Sequence, residues 1–192
     1  MGIDQDFENA LEHHYEAVWS RTSSRHIWNR GPGLPQQCRV FEYAPSDNAP
    51  FWVYATCGMS VLKEPPLLEL FLLSPCKTED HVELLTVIAH YHQTAAKLDL
   101  GHTVNFGRPW LPQSKCSFGL ISLPYLFGPS LENAQAGGVA VRVLWLVPIT
   151  FEERQLKIRA GQGALEEIFE RHQFNYLDAL RDSVVKESDS HS

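Results

Sequence analysis

Nine histidines and four cysteines are the side chains of this 192-residue sequence best suited to metal or nucleophilic chemistry. Their spacing speaks against both. His90 and His92 stand two apart in a segment of helical periodicity, so they point about 200° from each other, whereas a helical chelate needs a spacing of three or four. His81 and His92 share a face but lie about 16 Å apart along the axis. Cys38, Cys57, Cys76 and Cys116 are widely spread with no CxxC pair, which fits neither a zinc knuckle nor a dense disulfide scaffold. Three of the four sit in or beside apolar, strand-like runs and are expected to be buried thiols. Cys116 and His102 can be written as nucleophile and base. Catalysis also needs an orienting group and an oxyanion site, for which the sequence has no signature. Gly161-Gln162-Gly163 follows a helical pattern rather than a strand, so it reads as a helix break and not a phosphate loop. No metal and no cofactor is expected.

The elements that must position any site follow from periodicity. Asp4 can cap a first helix carrying Phe7, Ala10, Leu11, His14 and Val18 at helical spacing, ending before the polar Ser20 to Ser24 stretch. A Gly/Pro loop from Asn29 to Pro35 precedes three strands, Cys38 to Ala44, Phe51 to Cys57 and Leu67 to Leu73. Their short spacers predict an antiparallel meander. A helix from about Thr78 to Leu98 is capped by Thr78 or Asp80, with Gly101 just beyond it. Glu83, Thr86, His90, Gln93, Thr94 and Lys97 form its polar arc, opposite Leu84, Leu85, Val87, Ile88, Ala95 and Leu98. Two further strands are predicted, Cys116 to Leu123 and Val139 to Val147. The second is apolar on both faces and therefore central. Between them lies a loop containing Pro129, Asn133 and Gly137-Gly138. Thr150 and Glu153 form a capping box for a helix through about Ile158, and another helix runs from Ala164 to His172. The fold class is α+β, a mixed and mainly antiparallel sheet packed by helices. Residues 1–185 are expected to form one domain, and residues 186–192 a disordered polar tail.

At 44% hydrophobic and 20% charged, the chain reads as a soluble globular protein. Its formal charge of -7 lowers the expectation of nucleic-acid binding and suits a basic protein partner better. The first residues lack a secretory leader's pattern, and no apolar run approaches a membrane span. A reducing cytoplasm is the expected location.

The best positional candidate for function is the loop expected from Gly101 to Pro112. It combines polar His102, Asn105 and Arg108 with large apolar Phe106 and Trp110, a composition typical of contact surfaces. Phe106 and Trp110 are read either as anchors for a partner or as caps on the core. A second candidate is the strand end Thr56-Cys57-Gly58-Met59-Ser60, where a glycine can expose backbone amides or simply make a tight turn. His92 is read as a hydrogen-bonded core or interface histidine. Met59, Ser60 and His92 join His102, Asn105, Phe106, Arg108 and Trp110 as the expected partner-binding set. No catalytic residue is assigned.

These same stretches, with Glu69-Leu70, His81-Val82-Glu83-Leu84-Leu85, Leu144 to Thr150 with Glu152-Glu153, and Gly161-Gln162-Gly163-Ala164-Leu165, make the chain resemble the Suppressor of fused domain family over about Phe41 to Val185. The resemblance implies the mixed α/β fold of that family's N-terminal lobe and a binding role. Its animal members clamp an extended peptide of a zinc-finger transcription factor between two lobes, in the manner of strand addition. This sequence is similar to one lobe. His102 stands where the animal pattern Gly-Asp-His-Val-Ser-Trp carries an acid, which implies a different partner. Single-lobe bacterial members look like immunity proteins of polymorphic toxin systems, so the implied partner is a toxin or an extended peptide segment. A regulatory scaffold and an enzyme using the Gly101 to Trp110 segment are the alternatives.

Overall fold

The computed structural model describes residues 4–30, 34, 37–60 and 65–185. The Asp4 carboxylate accepts the Asp6 amide and opens α1, Gln5–Trp19. The helix buries Phe7, Leu11, Tyr15 and Trp19, while Ala10, His14 and Val18 are half-buried. The buried stripe is thus rotated from the expected one, because two large aromatic rings remove more surface from water than the smaller side chains beside them. The polar stretch after α1, to which periodicity assigns no element, leads into a strand, β1 (Ser23–His26). It pairs on one side only and carries no buried apolar face, so alternation gives no sign of it.

The expected meander is present as β2 (Arg39–Tyr43), β3 (Trp52–Cys57) and β4 (Leu67–Ser74), each antiparallel to the next. Next come α2 (Asp80–Thr94), β5 (Thr103–Asn105) and β6 (Phe118–Ser122). The segment expected to be a loop before the long strand holds a short helix, α3 (Pro129–Glu132), and β7 (Asn133–Ala136). The chain continues through β8 (Val139–Ile149), α4 (Phe151–Ala160) and α5 (Gln162–Arg171). The strand order is β1-β2-β3-β4-β8-β6-β5, with β7 paired on β8; β8 runs parallel to β4. From Val143 to Ile149 every residue of β8 is buried, as expected of a strand covered on both faces.

Contacts divide the chain into two compact units, Met1–Leu100 with Ile121–Leu146, and Gly101–Leu120 with Val147–Ser192. In the first unit, Trp19 of α1 meets Tyr43 edge-on at 4.8 Å, and Phe71 stacks on Trp145. His81 of α2 meets Tyr54, whose cross-strand neighbour Glu42 alternates with Phe41 and Tyr43. The two helices therefore cover opposite faces of the sheet. That double cover explains why all eight residues of β4 are buried.

α2 is shorter than its periodicity suggested. The N-cap position is Glu79, whose side chain makes no cap bond; Thr78, one residue earlier, accepts the Asp80 amide at 3.2 Å, and the helix ends before Ala95. Its arcs also differ from expectation: Thr86 is buried with its hydroxyl bonded to the Val82 carbonyl, and Val87 is exposed. A threonine can bury its hydroxyl by bonding the preceding turn, which pattern reading scores as polar. In the second unit the Thr150 and Glu153 capping box is complete, and both helices start close to the expected positions. The stretch expected to be a disordered tail, residues 186–192, lies outside the described residues, as does part of the loop from Asn29 to Pro35.

Candidate partner-binding site

In the second unit, the stretch Gly101 to Pro112, expected to be a loop, instead holds the strand β5, which its hydrogen-bonded pairing with β6 defines. Gly101 has φ +79°, and a Cβ there would come within 2.7 Å of the Gln162 side-chain oxygen, so glycine suits the entry to the strand. β5 pairs with β6 in the register Thr103↔Leu120 and Asn105↔Phe118 and closes the strand order, leaving its outer edge unpaired among the described residues. An unpaired edge of this kind is a template for another strand. His102, Asn105 and Arg108 are exposed, and Phe106 is half-buried. The Asn105 side chain accepts the Gly107 amide at 2.8 Å, which turns the chain after the strand.

Trp110 does not belong to this surface. It is 3% exposed, and its indole nitrogen donates to Ser114 Oγ at 2.9 Å. Of the two readings available for it, the core cap is the one its burial supports. Cys116 is also buried and its amide donates to the same Ser114 oxygen. Burial pushes its thiol upward against the opposing field of Arg181, so it is held as the protonated, weakly nucleophilic form.

Beside β5, Phe118 of β6 lies 6.2 Å from Phe151 and carries the Arg154 guanidinium 5.0 Å above its ring. Phe151 is 52% exposed.

In the first unit, the strand end Thr56 to Ser60 wraps a buried carboxylate that periodicity placed in an apolar strand. Glu69 accepts the amides of Gly58 at 2.8 Å and Met59 at 3.1 Å, and the Thr56 hydroxyl at 2.6 Å. Gly58 has φ +85°, which turns its amide inward. Of the two readings of this strand end, the tight turn is the one present: the Gly58 and Met59 amides are consumed internally. Burial drives the Glu69 carboxyl up and these donors pull it down, leaving it at about 7.

Met59, Ser60 and His92, expected to touch a partner, are all buried. Ser60 Oγ donates to the Leu68 carbonyl at 2.7 Å and accepts the Leu68 amide at 3.0 Å. His92 Nε2 lies 3.0 Å from that oxygen, and His92 Nδ1 accepts the Leu98 amide at 2.9 Å. With its single proton committed, Ser60 must accept from His92, which places the imidazole proton on Nε2. Ser60 and His92 border a cleft of about 120 Å³ with Leu68, Lys97, Asp99 and Arg142.

The Suppressor of fused (SUFU) family profile matches residues 35–182. A solved SUFU homologue from Neisseria gonorrhoeae is 32% identical with a TM-score of 0.83, over 96% of this chain and 100% of that one. The chain belongs to the Suppressor of fused family. Two further SUFU structures share its fold. The Sufu in a Sufu-Fu complex matches at 16% identity and TM-score 0.68, over 93% of this chain and 92% of that one. Drosophila Suppressor of Fused matches at 17% and 0.66, over 93% of this chain and 51% of that one. No curated protein sequence matches the chain significantly. The SUFU resemblance read from the sequence thus holds, as does the α+β fold it implied.

Sequence reasoning read Glu69 only within the family resemblance and gave no role to it or to Phe118, Phe151 and Arg154. A lone acid within Leu67-Leu68-Glu69-Leu70-Phe71 was the available signal for the first. Phe151 and Arg154 are one turn apart on α4, but Phe118 stands far earlier in the chain, and only the fold sets it against them.

Proposed function

We propose that this SUFU-family chain is a non-catalytic protein-binding domain of immunity type that binds and neutralises a cognate toxin in the cytoplasm. The single observation that carries the binding role is β5: a terminal strand whose neighbouring positions His102, Asn105 and Arg108 are exposed beside half-buried Phe106. Such an edge accepts an extended segment of the partner by main-chain hydrogen bonds, with flanking side chains selecting it. The Sufu-Fu complex supports this reading, since that relative is solved with another protein. The family is one of binding and regulation, and the buried, protonated Cys116 offers no activated nucleophile to the enzymatic alternative.

Residues 1–185 act as one functional domain in this reading. Most of the chain's acidic excess lies in the first unit, which favours encounter with a basic toxin. No helix among the described residues is long and apolar enough to cross a membrane.

The test is affinity capture from the native host with mass spectrometry, followed by hydrogen exchange on the purified complex. A reproducible toxin partner that slows exchange across Thr103 to Phe106 is the expected result. Capture of no reproducible partner, or a complex in which these amides exchange as in the free protein, refutes it.

A further inference from the structure

We infer that Arg154 is a specificity-determining anchor for a carboxylate carried by the polypeptide strand that adds to β5. This inference rests on the strand-addition reading above and goes beyond it, to the chemistry of the partner.

Asn105 and Phe118 are directly opposite in the antiparallel pair, so their side chains share one face of the sheet. Arg154 covers Phe118 on that face. The ring lies 5.0 Å from the guanidinium and attracts it through its π face, yet among the described residues the guanidinium makes no hydrogen bond or ion pair. A planar fork of donors beside an aromatic ring, with no carboxylate engaged, matches the geometry of a bidentate acid. Arg154 also lies in the first turn of α4, where the helix dipole disfavours a cation. Its position therefore adds nothing to helix stability. An anion arriving there meets both the guanidinium and the positive end of the helix.

The neighbouring acids do not fill this role. Glu153 is occupied by Arg181, and Glu152 is two positions back on the helix, about 200° away. Exposed Phe151 flanks Phe118 and supplies the apolar wall against which a charged hydrogen bond strengthens.

Reach is sufficient. A strand added outside β5 lies about 10 Å from β6, two strand spacings. A Glu or Asp side chain on the shared face and the flexible Arg154 can close that span between them. The partner segment is thus an extended strand with an acidic residue at one fixed position, neighboured by apolar residues able to pack on Phe151.

The experiment selects a phage-displayed library of random twelve-residue peptides on the purified full chain and, in parallel, on R154M and R154E. Arg154→Met keeps the aliphatic stem over Phe118, and thermal melting within two degrees of the parent confirms that packing survives. Peptides from the parent are expected to share an Asp or Glu at one position and to bind R154M roughly ten- to a hundredfold more weakly, the worth of a charged hydrogen bond. R154E is expected to select Lys or Arg at that position. Enrichment of peptides with no acidic preference, or with the same preference on R154M, overturns the anchor while leaving strand addition standing. Enrichment of no peptide on any of the three overturns strand addition at this edge, and the anchor with it.

Discussion

Glu69 Oε1 lies 2.8 Å from the amide nitrogen of Gly58, and this contact ties the end of β3 to the middle of β4. The carboxyl is fully buried and held at about 7, so its ionisation couples the first unit's stability to pH near neutrality.

The folded value is raised from an unfolded one of 4.5, so the stabilisation associated with this group is complete below about 4.5 and is lost as pH rises through about 7. Over that window the loss is about 3 kcal/mol. Glu69→Gln retains an acceptor for the two amides and does not titrate; its NH2 group donates to Thr56, whose hydroxyl proton turns to the Leu70 carbonyl at 3.3 Å. The difference in urea unfolding free energy between parent and E69Q should move by about 3 kcal/mol in favour of E69Q between pH 5 and pH 8. A difference independent of pH would refute the role given to Glu69.

His92→Leu should destabilise the chain by about 2–4 kcal/mol, because the Leu98 amide loses its acceptor and Ser60 Oγ a donor inside the protein. Hydrogen exchange locates the effect: the Leu98 amide should exchange markedly faster in H92L. An unchanged rate at Leu98 contradicts the tautomer assigned here.

Trp110→Ala should cost about 3–5 kcal/mol by opening a cavity and removing one of the two donors to Ser114 Oγ. His90→Ala, on the half-buried side of α2, should change stability by less than about 0.5 kcal/mol. Thermal melting of both variants checks this. Reduced partner capture by a W110A protein that melts like the parent would instead return Trp110 to the binding surface.

Arg181 forms a two-pronged bridge to Glu153, at 2.5 and 2.8 Å, and also donates to the Pro148 carbonyl at 3.0 Å. Both partners of the bridge are buried. Arg181→Met should cost about 3–5 kcal/mol because Glu153 is left as an uncompensated buried charge, and adding Glu153→Gln should recover part of it. Chemical denaturation of the single and double variants measures the coupling. Strict additivity would show that the bridge contributes nothing.

Much of the fold was legible because burial writes a periodic pattern. β8 reads as central from apolar residues on both of its faces, and the capping box of α4 reads from Thr150 and Glu153 alone. β1 and β7 were not legible, since short one-sided strands of polar or small residues bury too little to alternate. α2 was overextended because Leu98 is buried outside the helix, where His92 binds its amide.

By itself the sequence determined the family, the order of most elements and the segment Gly101 to Trp110 as the place to look for function. Only the tertiary structure decided which of that segment's residues face outward: Trp110 turns in and His102, Asn105 and Arg108 stay out. It alone set Phe118, Phe151 and Arg154 together and closed the Thr56 to Ser60 turn around Glu69. The physical reason is that local spacing dictates periodicity, whereas pairing across a sheet joins residues whose separation in the chain carries no signal of their contact.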